Sequence, residues 1–231
     1  WGSHGTHKNQ FDRPYGIGID TNGVVYVVDR QNDRIQVFGS SGDYVSQWGE
    51  RGRESGDLVL PVDIATTNTG SFYVVDSGND RIQIYGSFGT YLGGWGTEGR
   101  GNGQFQSPQG VAIGPSGEVF VADRGNDRIQ VFSHNGVYLG QWGTEGENEE
   151  QLSSPHGVAV DDMNNVYVTD TGNHRVQVFT SRGEFIGTWG SSGSAQGDFR
   201  FPHGITIDNA GKVYVADRGN DRIQMFMVQI P

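Results

Sequence analysis

The stretch "ADRGNDRIQVF" spans Ala122–Phe132, and "ADRGNDRIQMF" spans Ala216–Phe226, so ten of eleven residues recur 94 positions later. The spacing behind this repeat governs the whole chain of 231 residues. Tryptophan and proline each return every 47 residues, without insertion or deletion, at Trp1, Trp48, Trp95, Trp142 and Trp189, and at Pro14, Pro61, Pro108, Pro155 and Pro202. Such a fixed period is the signature of a repeat architecture.

A single repeat reads as four short strands. Between Pro108 and Gly143, the apolar stretches "GVAIG", "EVFVAD", "RIQVF" and "VYLGQW" are separated by turn sequences rich in Gly, Asn and Ser. Runs of five or six residues rich in Val, Ile, Phe and Tyr, bounded by turn residues, predict β-strands. The second stretch is apolar at nearly every position, which predicts a strand buried on both faces. We therefore expect four antiparallel strands per repeat, with each sheet packed between two neighbours.

Sheets of this size that pack only on their neighbours form β-propellers. The repeat count predicts an all-β chain, a β-propeller with five four-stranded blades of 47 residues, as a single domain over residues 1–231. A six-bladed propeller lacking one blade is the alternative. Both chain ends fall within one outer strand, and pairing of the N-terminal "WG" beside Met225–Ile230 would cover an exposed strand edge.

The repeat resembles the NHL repeat. The resemblance rests on "P-x-G-V/I-A-V/I-D", then "V-Y-V-A-D-x-G-N-x-R-I-Q-V-F", then "G-x-Y-L-x-x-W-G", and it runs through the whole chain. The second repeat departs most, because Asp63 replaces the glycine after the proline. The resemblance implies a propeller, usually of six blades. It does not imply one function, since relatives include RNA-binding and protein-binding modules, extracellular sensor domains and a zinc-dependent lyase acting on peptide α-hydroxyglycines.

Residues that recur in every repeat are best interpreted as structural. Asp123 ends the second strand and Arg128 begins the third, so their side chains can pair across one tight turn. Asn126 suits the left-handed position of that turn. Gln130 recurs in the same way, and the tryptophans are expected to pack between outer strands.

Function is expected where the repeats differ. The residue after each proline varies and begins the innermost strand, so the five copies should surround the mouth of the central channel: Tyr15, Val62, Gln109, His156 and His203. We predict that the four polar members, with Asp63 nearby, form a ligand-binding pocket. His156 and His203 make a partial metal site, since catalytic zinc usually has three protein ligands. In the lyase relative, the resemblance implies zinc-binding histidines at this place. The alternative is that the two histidines hydrogen-bond across the channel.

Five arginines are predicted on the same face: Arg13, Arg30, Arg124, Arg200 and Arg218. They could bind phosphates. However, the formal net charge is −11, the chain has only two lysines, and acidic residues share these loops. RNA is therefore a possible but disfavoured partner.

These observations predict a non-catalytic binding or scaffold module that presents its channel-mouth face to a protein, a peptide or a small ligand. We expect a monomer with no resident cofactor, unless zinc or another divalent metal binds the histidines. A metal-dependent enzyme related to peptidyl-hydroxyglycine lyases and an RNA-binding domain are the alternatives.

The absence of cysteine excludes disulfides and thiolate chemistry. No apolar run is long enough to span a membrane as a helix.

Overall fold

Each repeat folds into its own antiparallel sheet, as predicted. The structure, a computed structural model, describes residues 1–228. Contacts divide the chain into an N unit, Trp1–Ser107, and a C unit, Pro108–Pro231. The N unit holds two blades and the C unit holds three. The all-β fold class, a five-bladed β-propeller, is confirmed.

The N unit begins with two short parallel strands, β1 (Ser3–His4) and β2 (Gln10–Phe11). Its first blade contains β3 (Pro14–Ile19), β4 (Val25–Asp29), β5 (Arg34–Phe38) and β6 (Tyr44–Trp48). Its second blade contains β7 (Asp63–Thr66), β8 (Phe72–Asp76), β9 (Arg81–Tyr85) and β10 (Tyr91–Trp95). Sequential strands pair antiparallel within each blade.

The C unit repeats this topology. The third blade contains β11 (Val111–Ile113), β12 (Val119–Asp123), β13 (Arg128–Phe132) and β14 (Tyr138–Trp142). The fourth contains β15 (Pro155–Val160), β16 (Asn165–Asp170), β17 (Arg175–Thr180) and β18 (Phe185–Trp189). The fifth contains β19 (Pro202–Ile207), β20 (Lys212–Asp217) and β21 (Arg222–Met227). The second and third strands are joined by 3₁₀ turns at Arg30–Asn32, Ser77–Asn79, Arg124–Asn126, Thr171–Asn173 and Arg218–Asn220.

The first residue of the chain packs within the N unit. The Trp1 ring stacks on Phe38 of the first blade, with 4.2 Å between ring centroids. Within residues 1–228, β21 pairs only with β20. The pairing of the N-terminal "WG" beside Met225–Ile230 stays a prediction, and Gln229 and Ile230 lie outside the described residues.

The recurrent aspartate anchors the segment before each blade to the third strand of that blade. The Asp76 carboxylate is fully buried and accepts hydrogen bonds from the Val59 backbone N–H at 2.7 Å and from the Asn79 amide at 2.8 Å. It also accepts from Arg81 Nε at 2.7 Å and from Gln83 at 3.1 Å. The equivalent Asp–Arg pair, at 2.7–2.8 Å, occurs in every blade. The structural interpretation of these residues is confirmed.

The left-handed residue of each 3₁₀ turn lies one position later than expected. Asn126 belongs to the turn itself and donates to Asp123, while Asp127 takes φ = 52°. The prediction for Asn126 is therefore wrong, because its side chain is needed inside the turn. The shifted residue links blades: Asp127 accepts a hydrogen bond from the Ser154 N–H at 2.7 Å, and in the next repeat His174 Nδ1 accepts from the Phe201 N–H at 3.0 Å.

Apolar clusters lie between successive blades within each unit. In the N unit, Ile35 and Val37 of the first blade pack with Leu58 and Phe72, which belong to the second repeat. In the C unit, Val176 packs with residues of the fifth blade. The tryptophans pack on aromatic rings as expected, for example Trp48 on Tyr85 at 4.3 Å and Trp189 on Phe226 at 5.6 Å.

Candidate functional site

In the C unit, the variable residues after the prolines lie at neighbouring inner strands. The strand pairing of Pro155 with Asp170 and of Pro202 with Asp217 places them at the same strand ends as the 3₁₀ turns. Glycine makes the close approach possible, because a Cβ on Gly157 would overlap the His203 carbonyl oxygen. The equivalent Gly110 lies equally close to the His156 carbonyl oxygen. We call this surface the C-unit loop face, defined by Gln109, Arg124, His156, His203 and Arg218.

The imidazole rings of His156 and His203 stack face to face. Their centroids are 4.0 Å apart and their planes differ by 19°. His156 is 6% exposed and His203 is half-buried. The structure therefore brings the two histidines together in direct ring contact, and the hydrogen bond between them stays a prediction.

The His203 imidazole is neutral at pH 7. Burial, followed by the nearby charges of Arg218 and Arg124, lowers the pKa of His203 from 6.5 to about 4. Arg124 and Arg218 are both exposed. A neutral imidazole offers one hydrogen-bond donor and one acceptor. The C-unit loop face therefore combines neutral polar groups with permanent positive charge from arginine.

The histidine pair does not fit a three-ligand zinc site in this arrangement. The nitrogen lone pairs of stacked imidazole rings lie in two nearly parallel planes. Two histidines that bind one zinc ion must instead direct their lone pairs at the same point, with nitrogen–zinc distances of roughly 2.0–2.1 Å. Among residues 1–228, no group of three or more His, Cys, Asp or Glu side chains is arranged to hold a metal ion. Metal binding by His156 and His203 stays a prediction, which would require a ring rotation.

Two threonine hydroxyl groups fix the fifth inner strand beside the stack, and sequence reasoning did not identify these contacts. Thr169 Oγ1 donates to the His203 carbonyl oxygen at 2.6 Å, and Thr171 Oγ1 donates to the Pro202 carbonyl oxygen at 2.6 Å. The signal for Thr169 is a hydroxyl residue directly before the recurrent aspartate, where the other repeats have Val or Ala. These contacts hold the backbone that carries His203.

The N unit carries three of the predicted polar residues, Tyr15, Arg30 and Asp63, each positioned by contacts within the unit. The Arg30 guanidinium lies over the Tyr15 ring, 5.6 Å from its centroid. Asp63 lies against Gly16, since a Cβ on Gly16 would come within 2.7 Å of the Asp63 Cα. The Asp63 carboxylate accepts a hydrogen bond from the Ile64 N–H at 3.0 Å. Val62 is buried and contributes no polar group here.

The remaining predicted arginines occupy backbone positions that the repeat itself requires. Arg13 precedes Pro14 and takes the left-handed φ of 50°. Arg200 is exposed, and its N–H donates to Asp217 at 2.7 Å. The acidic turn residues of the same loops serve the fold, since Asp33 and Asp80 accept N–H groups from Leu60 and Ser107 at 2.7 Å.

Comparison with known proteins agrees with this architecture. Protein lin-41 of Caenorhabditis elegans is 38% identical over 47 residues, which cover 20% of this chain and 4% of lin-41. The chain thus spans a small fraction of that relative.

No helix among residues 1–228 is long and apolar enough to cross a membrane.

Solved structures share the fold at low identity. Virginiamycin B lyase from Staphylococcus aureus superposes with a TM-score of 0.67 at 17% identity, covering 94% of this chain and 71% of the lyase chain. A chain of the nidogen/laminin complex superposes with a TM-score of 0.72 at 19% identity, covering 95% of this chain and 78% of the other.

The family pattern matches every blade. The NHL repeat is found at residues 11–38, 58–85, 105–132, 152–179 and 199–226. Each match extends from the buried apolar residue before the proline to the aromatic residue of the third strand, and so includes the aspartate anchor. The chain belongs to the NHL repeat family.

Proposed function

We propose that this chain is a non-catalytic binding module whose C-unit loop face binds a segment of a protein or a peptide. One observation carries the proposal. The recurrent polar residues are engaged within and between blades, whereas the variable residues gather a stacked histidine pair and two exposed arginines at one place.

The chemistry of this face favours a ligand with carboxylate and amide groups. Arg124 and Arg218 supply guanidinium groups, which pair with carboxylates in two-pronged geometry. The neutral His203 imidazole can donate to and accept from a peptide backbone, and the flat stack of the two histidine rings offers an apolar surface. Gln109, half-buried at the equivalent inner position, adds an amide.

The proposal is tested by selection from a random peptide library displayed on phage, followed by affinity measurement on the purified chain. We expect peptides that contain acidic residues, with binding weakened at least tenfold by the double change Arg124→Glu and Arg218→Glu. Arg182→Glu is the matched control, since this exposed arginine lies in the turn between β17 and β18, at the opposite strand ends. Equal loss in both variants would contradict the proposal.

The competing functions give different results. A lyase-like enzyme should bind zinc, so calorimetry at pH 7.5 should show heat for the wild type that the double change His156→Ala and His203→Ala abolishes. The lyase among the structural neighbours shares the fold alone at 17% identity. An RNA-binding domain should retain short RNA above about 200 mM salt, because contacts made only by charge weaken with salt. Either result would replace the proposal.

The module is proposed to act as a monomer. Sedimentation velocity of the purified chain should give a single species of about 25.2 kDa, the mass of one chain. A concentration-dependent dimer would contradict this part of the proposal.

A further inference from the structure

The junction between the fourth and fifth blades differs from the three earlier junctions at two positions. In the earlier junctions, the left-handed residue of the 3₁₀ turn is an aspartate, and its carboxylate accepts the backbone N–H of the residue before the next proline. The distance is 2.7 Å in all three pairs: Asp33–Leu60, Asp80–Ser107 and Asp127–Ser154. Here the turn residue is His174 and the residue before the proline is Phe201. His174 Nδ1 accepts the Phe201 N–H at 3.0 Å, so the same backbone link is kept.

The fold does not require these two rings. An aspartate holds the equivalent N–H in the earlier junctions, and serine takes the same left-handed conformation, with φ = 50° at Ser107 and 49° at Ser154 against 51° at Phe201. The two rings contact each other, with 4.6 Å between their centroids and 64° between their planes. Phe201 is 47% exposed, whereas Phe199, two residues earlier, is fully buried. An exposed aromatic pair at positions where the repeat accepts Asp and Ser points to binding rather than to folding.

Positive charge without a carboxylate partner lies next to the aromatic pair. Arg200 precedes Phe201, and its side chain lies against the next 3₁₀ turn, since a Cβ on Gly219 would come within 2.7 Å of Arg200 Cγ. Arg218 begins that turn. Within residues 1–228, neither guanidinium group forms an ion pair, although the chain has 27 acidic and only 16 basic residues. His174 also replaces a turn aspartate, so the junction suits an anionic group beside an aromatic one.

The aromatic pair continues the C-unit loop face. Pro202 alone separates Phe201 from His203, so their Cα atoms lie at most about 7 Å apart. Thr171 Oγ1, from the turn that carries His174, donates to the Pro202 carbonyl oxygen at 2.6 Å and fixes this short connection. One short peptide can therefore reach both the arginines of the loop face and the aromatic pair.

We propose that Phe201 and His174 form an aromatic subsite of the C-unit loop face, an assignment that rests on the proposed function of that face. The subsite binds an aromatic side chain of the peptide whose carboxylate pairs with Arg218. The recognised motif is thus an acidic residue and an aromatic residue, no more than a few residues apart. The bound ring packs edge-to-face or offset on Phe201, and the Arg200 guanidinium adds a cation–π contact.

The test is an NMR titration of the ¹⁵N-labelled chain with four synthetic peptides, in which zero, one, two or three glycines separate an aspartate from a phenylalanine. We expect at least one peptide to bind and to shift the amide signals of Phe201 and His174. Replacing its phenylalanine by alanine should weaken binding at least about fivefold. Phe201→Ser should weaken binding of the phenylalanine peptide by a similar factor and leave binding of the alanine peptide unchanged, because both changes remove the same contact.

The repeat supplies variants that should fold. Phe201→Ser and His174→Asp introduce residues that the chain already uses at the equivalent positions, Ser154 and Asp127, and an unchanged thermal midpoint confirms folding. His174→Asp should also weaken binding, since it removes one ring and adds a carboxylate. Phe88→Ser is the matched control, because Phe88 is 93% exposed in the turn between β9 and β10 of the N unit. It should leave binding unchanged.

The results separate this proposal from the proposed function. Binding that is weakened by Arg124→Glu with Arg218→Glu, but not by Phe201→Ser or by the peptide alanine, would overturn the aromatic subsite and keep the proposed function. No saturable binding by any of the four peptides, or binding that the arginine changes leave unaltered, would overturn both. Short RNA that shifts the Phe201 and His174 amides at about 200 mM salt, where the peptides do not, would assign the rings to base stacking instead.

Discussion

At the scale of single residues, position in the repeat predicts whether a side chain supports folding or binding. Asp123 is fully buried and accepts a hydrogen bond from Arg128 Nε at 2.7 Å. Asp123→Ala should lower the free energy of unfolding by about 3–5 kcal/mol, since it leaves a buried guanidinium without its partner. The exposed neighbour Arg124, changed to alanine, is the control and should stay within about 0.5 kcal/mol. Urea denaturation measures both, and similar losses would contradict the distinction.

His203 should make stability depend on pH. Its pKa is about 4 in the folded chain and near 6.5 when unfolded, so the unfolded chain binds the extra proton first. This contribution is complete above pH 6.5 and is lost as the pH falls from 6.5 towards 4. Allowing for partial solvent exposure, the loss is on the order of 1–2 kcal/mol. His203→Gln should remove this difference between unfolding at pH 7.5 and at pH 4.5, and an unchanged difference would refute the assignment.

At the scale of strands and turns, the repeat made much of the structure predictable. The strands of the blades could be predicted because their apolar runs and bounding turns recur along the chain, and so could the Asp–Arg pair. The short parallel pair of β1 and β2 was not predicted. The left-handed turn residue was misplaced by one position, since the repeat shows that Asn126 recurs but does not show that its side chain donates to Asp123 within the turn.

The histidine stack could be located but its geometry could not be predicted. The position after the proline identified His156 and His203. Ring orientation depends on how closely two inner strands approach at Gly157 and on the Thr169 hydroxyl, which occurs in one repeat only. Single-copy features of this kind leave no periodic signal.

Strand spacing at the stack can be tested with a pair of glycines. Gly157→Ala should destabilise the chain by about 1–3 kcal/mol, because the added methyl group overlaps the His203 carbonyl oxygen. Gly187→Ala, in the fourth blade, is the control, since a Cβ there meets nothing within 4 Å. Thermal unfolding of both variants measures the difference. Equal midpoints would show that the inner strands do not approach closely at Gly157.

At the scale of the whole molecule, equal positions in different blades should differ in tolerance. Val176 is fully buried, whereas Ile223, at the same position of the fifth blade, is 66% exposed. Val176→Glu should cost at least about 4 kcal/mol, because it buries a carboxylate in an apolar cluster. Ile223→Glu should cost less than about 1 kcal/mol. Comparable losses in urea denaturation would show that the outer face of the fifth blade is covered in solution.

The central claim is that recurrent residues build the blades while variable residues of the C-unit loop face bind the ligand. The most direct measurement is the dissociation constant of a phage-selected peptide for the variant Arg124→Glu/Arg218→Glu, with the free energy of unfolding determined on the same sample. We predict binding at least tenfold weaker with unfolding unchanged within about 0.5 kcal/mol. Unchanged binding would contradict the account, as would a loss of binding that merely follows a loss of stability.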